Sequence, residues 1–262
     1  DTDHVMVLDH GMGCLSAIRK AISMKKRVSI ANKELLIAHG QEVLSLARET
    51  GAVIIPLDSE HNALFQCLQG EKTSEVKKII ITASGGPFLR RESFQNIRID
   101  DVLRHPTWKM GRKTTVDCAT LVNKAFEVIE VHHLFQIPYE QIEVRIHPES
   151  IVHSIVQFQD GSSKMLAYAP DMKIPLAHAL FYPERAPENL SCESLSFHFD
   201  RDLHFEAIAQ GQFPCFDFVL DIARHRPEHL SRVLHNDQEA VEGYLSGKIA
   251  FHEIFEVLKI GL

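Results

Sequence analysis

The run Leu57-Asp58-Ser59-Glu60-His61-Asn62 places two carboxylates two residues apart, where the apolar stretch 52–57 gives way to an amphipathic one. At the carboxyl end of a strand, where α/β proteins bind ligands, such a pair can converge on one hard divalent cation. Oxygen donors favour Mg²⁺ or Mn²⁺ over zinc. The same residues would also serve a purely structural end, Asp58 capping a helix and Glu60 answering the positive end of its dipole. A second group, Asn123-Lys124-x-x-Glu127, sets an amide and a carboxylate on one helical face at i, i+4, with an ammonium one step around. It can present all three to one polar ligand, or it can be a solvated face with a Lys–Glu pair. A third, Thr82-Ala83-Ser84-Gly85-Gly86-Pro87-Phe88, follows another apolar run. Its glycines let backbone N–H groups close on an anion and Ser84 adds a hydroxyl, although a plain turn looks much the same. The stretch His105-Pro106-Thr107-Trp108-Lys109-Met110-Gly111-Arg112 holds the single tryptophan in a long connection, a composition that suits a lid.

Sixteen histidines point to a polar, titratable site, and His61, His105 and His153 fall within or beside these groups. His4, His10, His198, His225 and His229 have no such context and read as surface or satisfied core groups. There is no HExxH, Cys–His zinc spacing, G-x-S-x-G, P-loop or G-x-G-x-x-G fingerprint. Metalloprotease, serine hydrolase and nucleotide hydrolase readings are disfavoured accordingly.

The elements that must position these residues follow from periodicity. Residues 5–8, 27–30, 52–57 and 78–82 read as strands, and 14–24 and 33–49 as helices. The continuous apolar runs AVIIPL and KIIIT suit strands buried on both faces, so the alternation predicts a parallel α/β sheet. One helix is expected over 113–135. Strands are expected over 142–147 and 151–167, the latter turning at Asp160-Gly161 as a hairpin. An antiparallel segment after a parallel one implies a second, α+β domain. The run YPERAPENLS at 182–191 reads as a linker, and 216–224, 228–245 and 252–258 as helices.

Composition bounds the remainder. The chain has 262 residues, 45% hydrophobic and 24% charged, as expected of a globular protein rather than a disordered or fibrous one. A net charge of -7 with interspersed signs makes nucleic acid and anionic membranes poor partners. No apolar run approaches the roughly 18 residues of a membrane span. The opening DTDHVMV has no basic stretch leading into an apolar core and reads as no signal peptide. Five scattered cysteines, never spaced as CxxC, fit free thiols in a reducing compartment.

Taken together, Ala31-Asn32-Lys33-Glu34, LDSEHNA at 57–63, TASGGPF at 82–88, HPTWKMGRK at 105–113, VDCATLVNKAFEVIE at 116–130 and IHPESIVHS at 146–154 occur in one order. In this the chain resembles the 1-deoxy-D-xylulose 5-phosphate reductoisomerase family of the non-mevalonate isoprenoid pathway, from residue 5 to about residue 258. The resemblance implies an α/β fold: the remnant of a Rossmann-like, NADPH-binding parallel sheet at 1–57, then an α+β catalytic domain at 58–183 with a dimer-forming sheet. A linker at 184–212 and a C-terminal helical domain at 213–262 complete it. It implies NADPH-dependent reductive isomerisation of 1-deoxy-D-xylulose 5-phosphate to 2-C-methyl-D-erythritol 4-phosphate, with Mg²⁺ or Mn²⁺, by a homodimer in the bacterial cytoplasm or, alternatively, a plastid. By the same resemblance Asp58, Glu60 and Glu127 are the metal ligands. Ser59, Asn123 and Lys124 hold substrate hydroxyls, Ser84 and His105 contact the phosphate, and Trp108 and Met110 close over the substrate. Asn32, Lys33, Glu34, Met110 and Gly111 lie toward the cofactor. Lys33, Glu60, His61 and His153 belong to the catalytic surroundings.

The resemblance also marks departures. The family's glycine-rich phosphate-binding turn would precede residue 1, so this sequence reads as a fragment or a truncated relative. Cys118 stands where the family has a serine that donates to the substrate phosphate, and a thiol is a weak donor. Ala125 stands where it has a glycine. Two alternatives stay open: a relative that binds metal and sugar phosphate without reduction, and a non-catalytic dimerisation module. Three buried acids retained without a cation would argue against the latter.

Overall fold

The computed structural model describes residues 2–9, 11–90, 95, 97–104, 107–108, 110–187 and 202–262. The β-branched runs near the start form three parallel neighbours, β1 (His4–Val7), β2 (Arg27–Ile30) and β3 (Ile54–Pro56). Parallel strands need crossovers long enough to hold a helix, here α1 (Leu15–Ser23) and α2 (Lys33–Thr50). The Asn32 side chain caps α2 by accepting from the Leu35 amide at 2.8 Å, and Gly51 ends it at φ 75°. Ile18, Ile22, Leu35, Leu36 and Val43 pack with Val28 and Ile30 into an apolar cluster of their own.

The run at 78–82 does not extend that parallel sheet. It lies in β4 (Val76–Ala83), the central strand of a second sheet ordered β7-β6-β4-β5-β8. There β5 (Ile142–Ile146) is parallel to β4, while β6 (Val152–Phe158) is antiparallel to β4 and β7 (Ser163–Ala167) antiparallel to β6. Nor is it buried on both faces as expected: Ile79 and Ile81 are buried while Lys78 and Ile80 between them are half-buried, and a continuous apolar run carries no record of which neighbours it will pair with. The β6–β7 hairpin turns at Asp160-Gly161 as expected, with Gly161 at φ 90° and Asp160 Oδ1 accepting from the Ser162 amide at 2.8 Å. The short edge strand β8 (Glu206–Ala207) pairs with β5, and Phe205 stacks on His147 at 4.6 Å. Part of the segment expected to be a linker therefore joins the sheet.

The single helix expected over 113–135 is two. After α3 (Ser59–Cys67) and the short α4 (Ile99–Val102) come α5 (Arg112–Thr120) and α6 (Val122–Phe135), separated by Leu121 at φ 59°. A left-handed leucine costs about 1–2 kcal/mol. The turn lets α6 leave along a new direction, in which every residue from Val122 to Val131 is buried. A helix buried all round is the centre of a packed core. Ile79 and Ile81 of β4 and Val122, Phe126 and Ile129 of α6 share that core with Phe216, Val219, Val233, Val241 and Leu258. The last five belong to α8 (Pro214–His225), α9 (Leu230–Leu245) and α10 (Ile254–Leu258), which follow α7 (Lys173–Phe181). Among the described residues no helix is long and apolar enough to cross a membrane.

Candidate metal centre

Four elements aim polar side chains at one cavity of about 120 Å³. The Leu57 amide donates to Ile30 O at 2.9 Å, fixing the end of β3. The chain turns there into α3, so Asp58 precedes the helix and Ser59 and Glu60 lie in its first turn. Asn62 anchors that turn from behind, its amide donating to Pro56 O at 2.9 Å. α6 brings Asn123, Lys124, Glu127 and Glu130, and the first turn of α2 brings Lys33.

These groups are interlocked. Lys124 Nζ donates to Glu60 Oε1 at 2.9 Å and to Glu127 Oε2 at 2.5 Å. Asn123 Nδ2 donates to the other oxygen of Glu127 at 2.5 Å, and the Ser59 hydroxyl donates to Glu60 Oε2 at 2.6 Å. Lys33 Nζ is hydrogen-bonded to Asp58, lies 3.3 Å from Glu130 Oε2 and 3.9 Å from Glu127 Oε1. Burial works against ionising Glu60, but Lys124, His153 and the Ser59 hydroxyl outweigh it and hold the carboxyl at about 2. Burial and the Glu60 charge push Glu127 up. Burial likewise pushes His61 down, and His153 down to about 4, leaving both rings neutral at pH 7.

The charge count tests whether a cation fits. Four carboxyl groups (Asp58, Glu60, Glu127, Glu130) face two ammoniums (Lys33, Lys124), so ionising all four leaves two negative charges in a largely buried cluster, the strain that pushes Glu127 up. Uncompensated buried charge is costly, and one divalent cation cancels it. The donors are hard oxygens, the set that suits Mg²⁺ or Mn²⁺. Asp58, His61 and Glu130 moreover each offer one ligand atom, all within 4.8 Å of one another.

The opposite wall comes from the glycine loop and the helix break. Gly85 and Gly86 adopt φ 86° and 65°, and a Cβ on Gly86 would lie 2.8 Å from the Cys118 carbonyl oxygen, so the loop packs directly on α5. The N-cap residue of α6, Leu121, supplies no capping side chain, Thr120 Oγ1 accepts only from the Val122 amide at 3.4 Å, and Leu121, Asn123 and Lys124 line the cavity there beside Ser84. Uncapped helical N–H groups favour an anion. Burial, reinforced by Glu127, pushes the Cys118 thiol up, so it stays protonated. Trp108 closes one side, its ring edge-on to His153 at 6.0 Å, and His153 stacks on Tyr168 at 3.9 Å. Tyr168 in turn donates to Ser59 O at 3.0 Å.

Of the residues singled out from the sequence, the fold brings Lys33, Asp58, Ser59, Glu60, Ser84, Trp108, Met110, Cys118, Asn123, Lys124 and Glu127 to the cavity wall. His61 and His153 lie behind it, His61 Nε2 bonded to Glu127 O at 3.1 Å and His153 Nε2 to Tyr168 O at 3.1 Å. Asn32 also stands back: its Nδ2 donates to Asp9 O and Gly11 O at 2.9 and 2.8 Å while its oxygen caps α2. Glu34 lies in the first turn of α2 and Gly111 caps α5. His105 lies outside the described residues. Sequence reading overlooked Glu130, 1% exposed and three residues past Glu127 on the same helical face. Its i+7 spacing from Asn123 was the available signal.

Known proteins share this sequence pattern and this fold. Residues 54–135 match the model of the 1-deoxy-D-xylulose 5-phosphate reductoisomerase C-terminal domain, and residues 168–261 match that of the DXP reductoisomerase C-terminal domain. The 1-deoxy-D-xylulose 5-phosphate reductoisomerase of Geobacillus sp. (strain WCH70) is 42% identical over 264 residues, covering 100% of this chain and 69% of that protein. The one from Bacillus cereus (strain AH187) is 41% identical over 250 residues, covering 95% and 65%. The chain thus spans about two thirds of the length of these relatives. A crystal structure of DOX-P reductoisomerase in complex with NADPH, fosmidomycin and magnesium superposes with a TM-score of 0.85 at 36% identity, over 99% of this chain and 67% of the other. The Zymomonas mobilis enzyme in complex with NADPH superposes at 0.87 and 34% identity, over 98% and 67%. Sequence, fold and the carboxylate cluster converge: the chain belongs to the 1-deoxy-D-xylulose 5-phosphate reductoisomerase family.

Proposed function

We propose that this chain carries the metal and substrate site of a 1-deoxy-D-xylulose 5-phosphate reductoisomerase, which rearranges that sugar phosphate and reduces the product to 2-C-methyl-D-erythritol 4-phosphate with NADPH. The observation that carries the reading is the excess of buried carboxylates around Lys33 and Lys124 at the end of β3. Asp58, Glu60 and Glu127 would hold Mg²⁺ or Mn²⁺, which supplies Lewis-acid polarisation and a template for two neighbouring substrate oxygens. NADPH would supply the hydride from the side of Lys33, Glu34, Met110 and Gly111, with Asn32 shaping the turn rather than touching the cofactor.

The side chains have separable tasks in this reading. Lys124 keeps Glu60 ionised and Asn123 orients Glu127, so the ligand oxygens are set before substrate arrives. Ser84, the glycines after it, His105 and the start of α6 receive the phosphate. Cys118 contributes a protonated thiol to that pocket and a weaker hydrogen bond than a hydroxyl would. Ser59 directs the outer oxygen of Glu60 and meets a substrate hydroxyl. Trp108 and Met110 exclude water and protect the aldehyde formed on the way to product. His61 and His153, neutral and bonded to backbone, brace Glu127 and Trp108 rather than transfer protons.

The domain boundaries given above, and the assignment of each site residue, are part of this reading. So is a homodimer formed through the sheet edge at β7, which carries the exposed Met165. The bacterial cytoplasm suits the free thiols of Cys14, Cys67, Cys118 and Cys215. Titration calorimetry of 1-deoxy-D-xylulose 5-phosphate into the full chain, with and without Mn²⁺, tests the site. Binding is expected only with metal and is lost in Glu127→Ala. A folded chain that ignores the sugar phosphate in the presence of Mn²⁺ would overturn the reading.

A further inference from the structure

Glu130 is a buried carboxylate to which the three-ligand reading gives no task. It lies one helical turn past Glu127 on α6, 1% exposed, with Oε2 3.3 Å from Lys33 Nζ. The same ammonium is hydrogen-bonded to Asp58. Asp58, His61 and Glu130 bring ligand atoms within 4.8 Å of one another, and the Lys33 ammonium, held by two of these carboxylates, takes the place of a cation among them. A divalent ion bound to Asp58 and an ammonium bonded to the same carboxylate repel each other strongly in a buried site. The ammonium cannot be left unpaired there without a large penalty. It needs a second acceptor within reach, and Glu130 already faces it.

Resting on the reading that Asp58, Glu60 and Glu127 hold the metal, we infer that Glu130 is a positioning residue that takes over the Lys33 ammonium when the divalent cation claims Asp58. The exchange needs only a short displacement, since Lys33 Nζ has to close from 3.3 Å to an ordinary hydrogen bond. It keeps the Lys33 ammonium paired before and after metal entry. It also leaves Lys33 beside the metal, with its ammonium aimed by a rigid helix rather than released into the cavity.

A double-mutant cycle on the full chain tests this, reading Mn²⁺ affinity by titration calorimetry in wild type, Glu130→Gln, Lys33→Met and the double variant. Glu130→Gln is expected to weaken Mn²⁺ binding about tenfold or more, because Lys33 then stays on Asp58. Lys33→Met is expected to tighten it, because the competing cation is gone. In the Lys33→Met background Glu130→Gln should cost clearly less than in wild type, because only the field of the lost charge acts, without the competition. Equal losses in both backgrounds, or no loss in wild type, would overturn the inference while leaving the metal site standing. A wild-type chain that takes up no Mn²⁺ would overturn the metal reading and this inference with it. Should Glu130→Gln not fold, Lys33→Met alone decides: unchanged or weaker Mn²⁺ binding would show that Lys33 does not compete for Asp58.

Discussion

Lys113 ties α5 to α9 by donating to Asp117 Oδ2 at 2.7 Å and to Asp237 Oδ2 at 2.5 Å. The two aspartate side chains are only 6% and 2% exposed, and one ammonium cannot neutralise both. Asp117 Oδ1 has no partner among the described residues. Burial, and then the Asp237 charge, push the Asp117 carboxyl up to about 7 from an ordinary 3.8. Burial raises Asp237 as well, against the pull of Lys113. The folded protein therefore keeps a proton that the unfolded chain releases. That contribution to stability is complete below about 3.8 and is lost as pH rises through about 7. At 1.36 kcal/mol per pH unit the loss is of the order of 4 kcal/mol. Asp117→Asn removes the titration and leaves one ammonium facing one carboxylate. Urea unfolding followed by far-UV circular dichroism should place the variant within about 1 kcal/mol of wild type at pH 4.5 and about 2–4 kcal/mol above it at pH 8. A variant less stable than wild type at pH 8, or a difference that does not change with pH, would refute the argument. Lys113→Met makes the complementary case. It strands two buried acids and should cost about 3–5 kcal/mol at pH 8, and less at pH 4.5.

Two further substitutions probe the frame around the site. Gly86→Ala places a Cβ 2.8 Å from the Cys118 carbonyl at a φ of 65°. It should lower stability by about 1–3 kcal/mol and weaken binding of the sugar phosphate more than binding of Mn²⁺, as calorimetry would show. Asn236, 2% exposed, donates to Leu258 O at 3.0 Å and Ile260 O at 2.8 Å. Its replacement by alanine should cost about 2–3 kcal/mol in urea unfolding, and a loss below about 0.5 kcal/mol would show that the C-terminal turn does not depend on it.

Much of this molecule was legible in its residues because the signals are local. The β-branched runs at 5–8 and 27–30 and the amphipathic stripe after Lys33 form β1, β2 and α2 within a residue or two of their predicted ends. Asp160-Gly161 makes the hairpin that its preference for a left-handed glycine demands. The pairs Asp58/Glu60 and Asn123/Glu127 were legible too, because strand ends and i, i+4 spacing are properties of one element. Their meeting was not. Only the resemblance brought them to one site; in the fold Lys124 of α6 bonds both Glu60 of α3 and Glu127, and no spacing along the chain records that.

What tertiary structure alone decided has one common cause: the choice among partners for groups that are locally satisfied either way. The run at 78–82 could have joined either sheet, and it sits in the second, where Ile79 and Ile81 share one core with α6 and the C-terminal helices. Leu121 carries no breaker signal, yet it turns left-handed, and the helix that leaves the line of α5 there is buried from Val122 to Val131. That break opens a helix N-terminus onto the cavity. Glu130 and Asp237 were not singled out from the sequence, and burial turned each into half of an ion pair. A sequence states what each residue can do locally; desolvation and charge balance, which depend on neighbours far along the chain, select what it does.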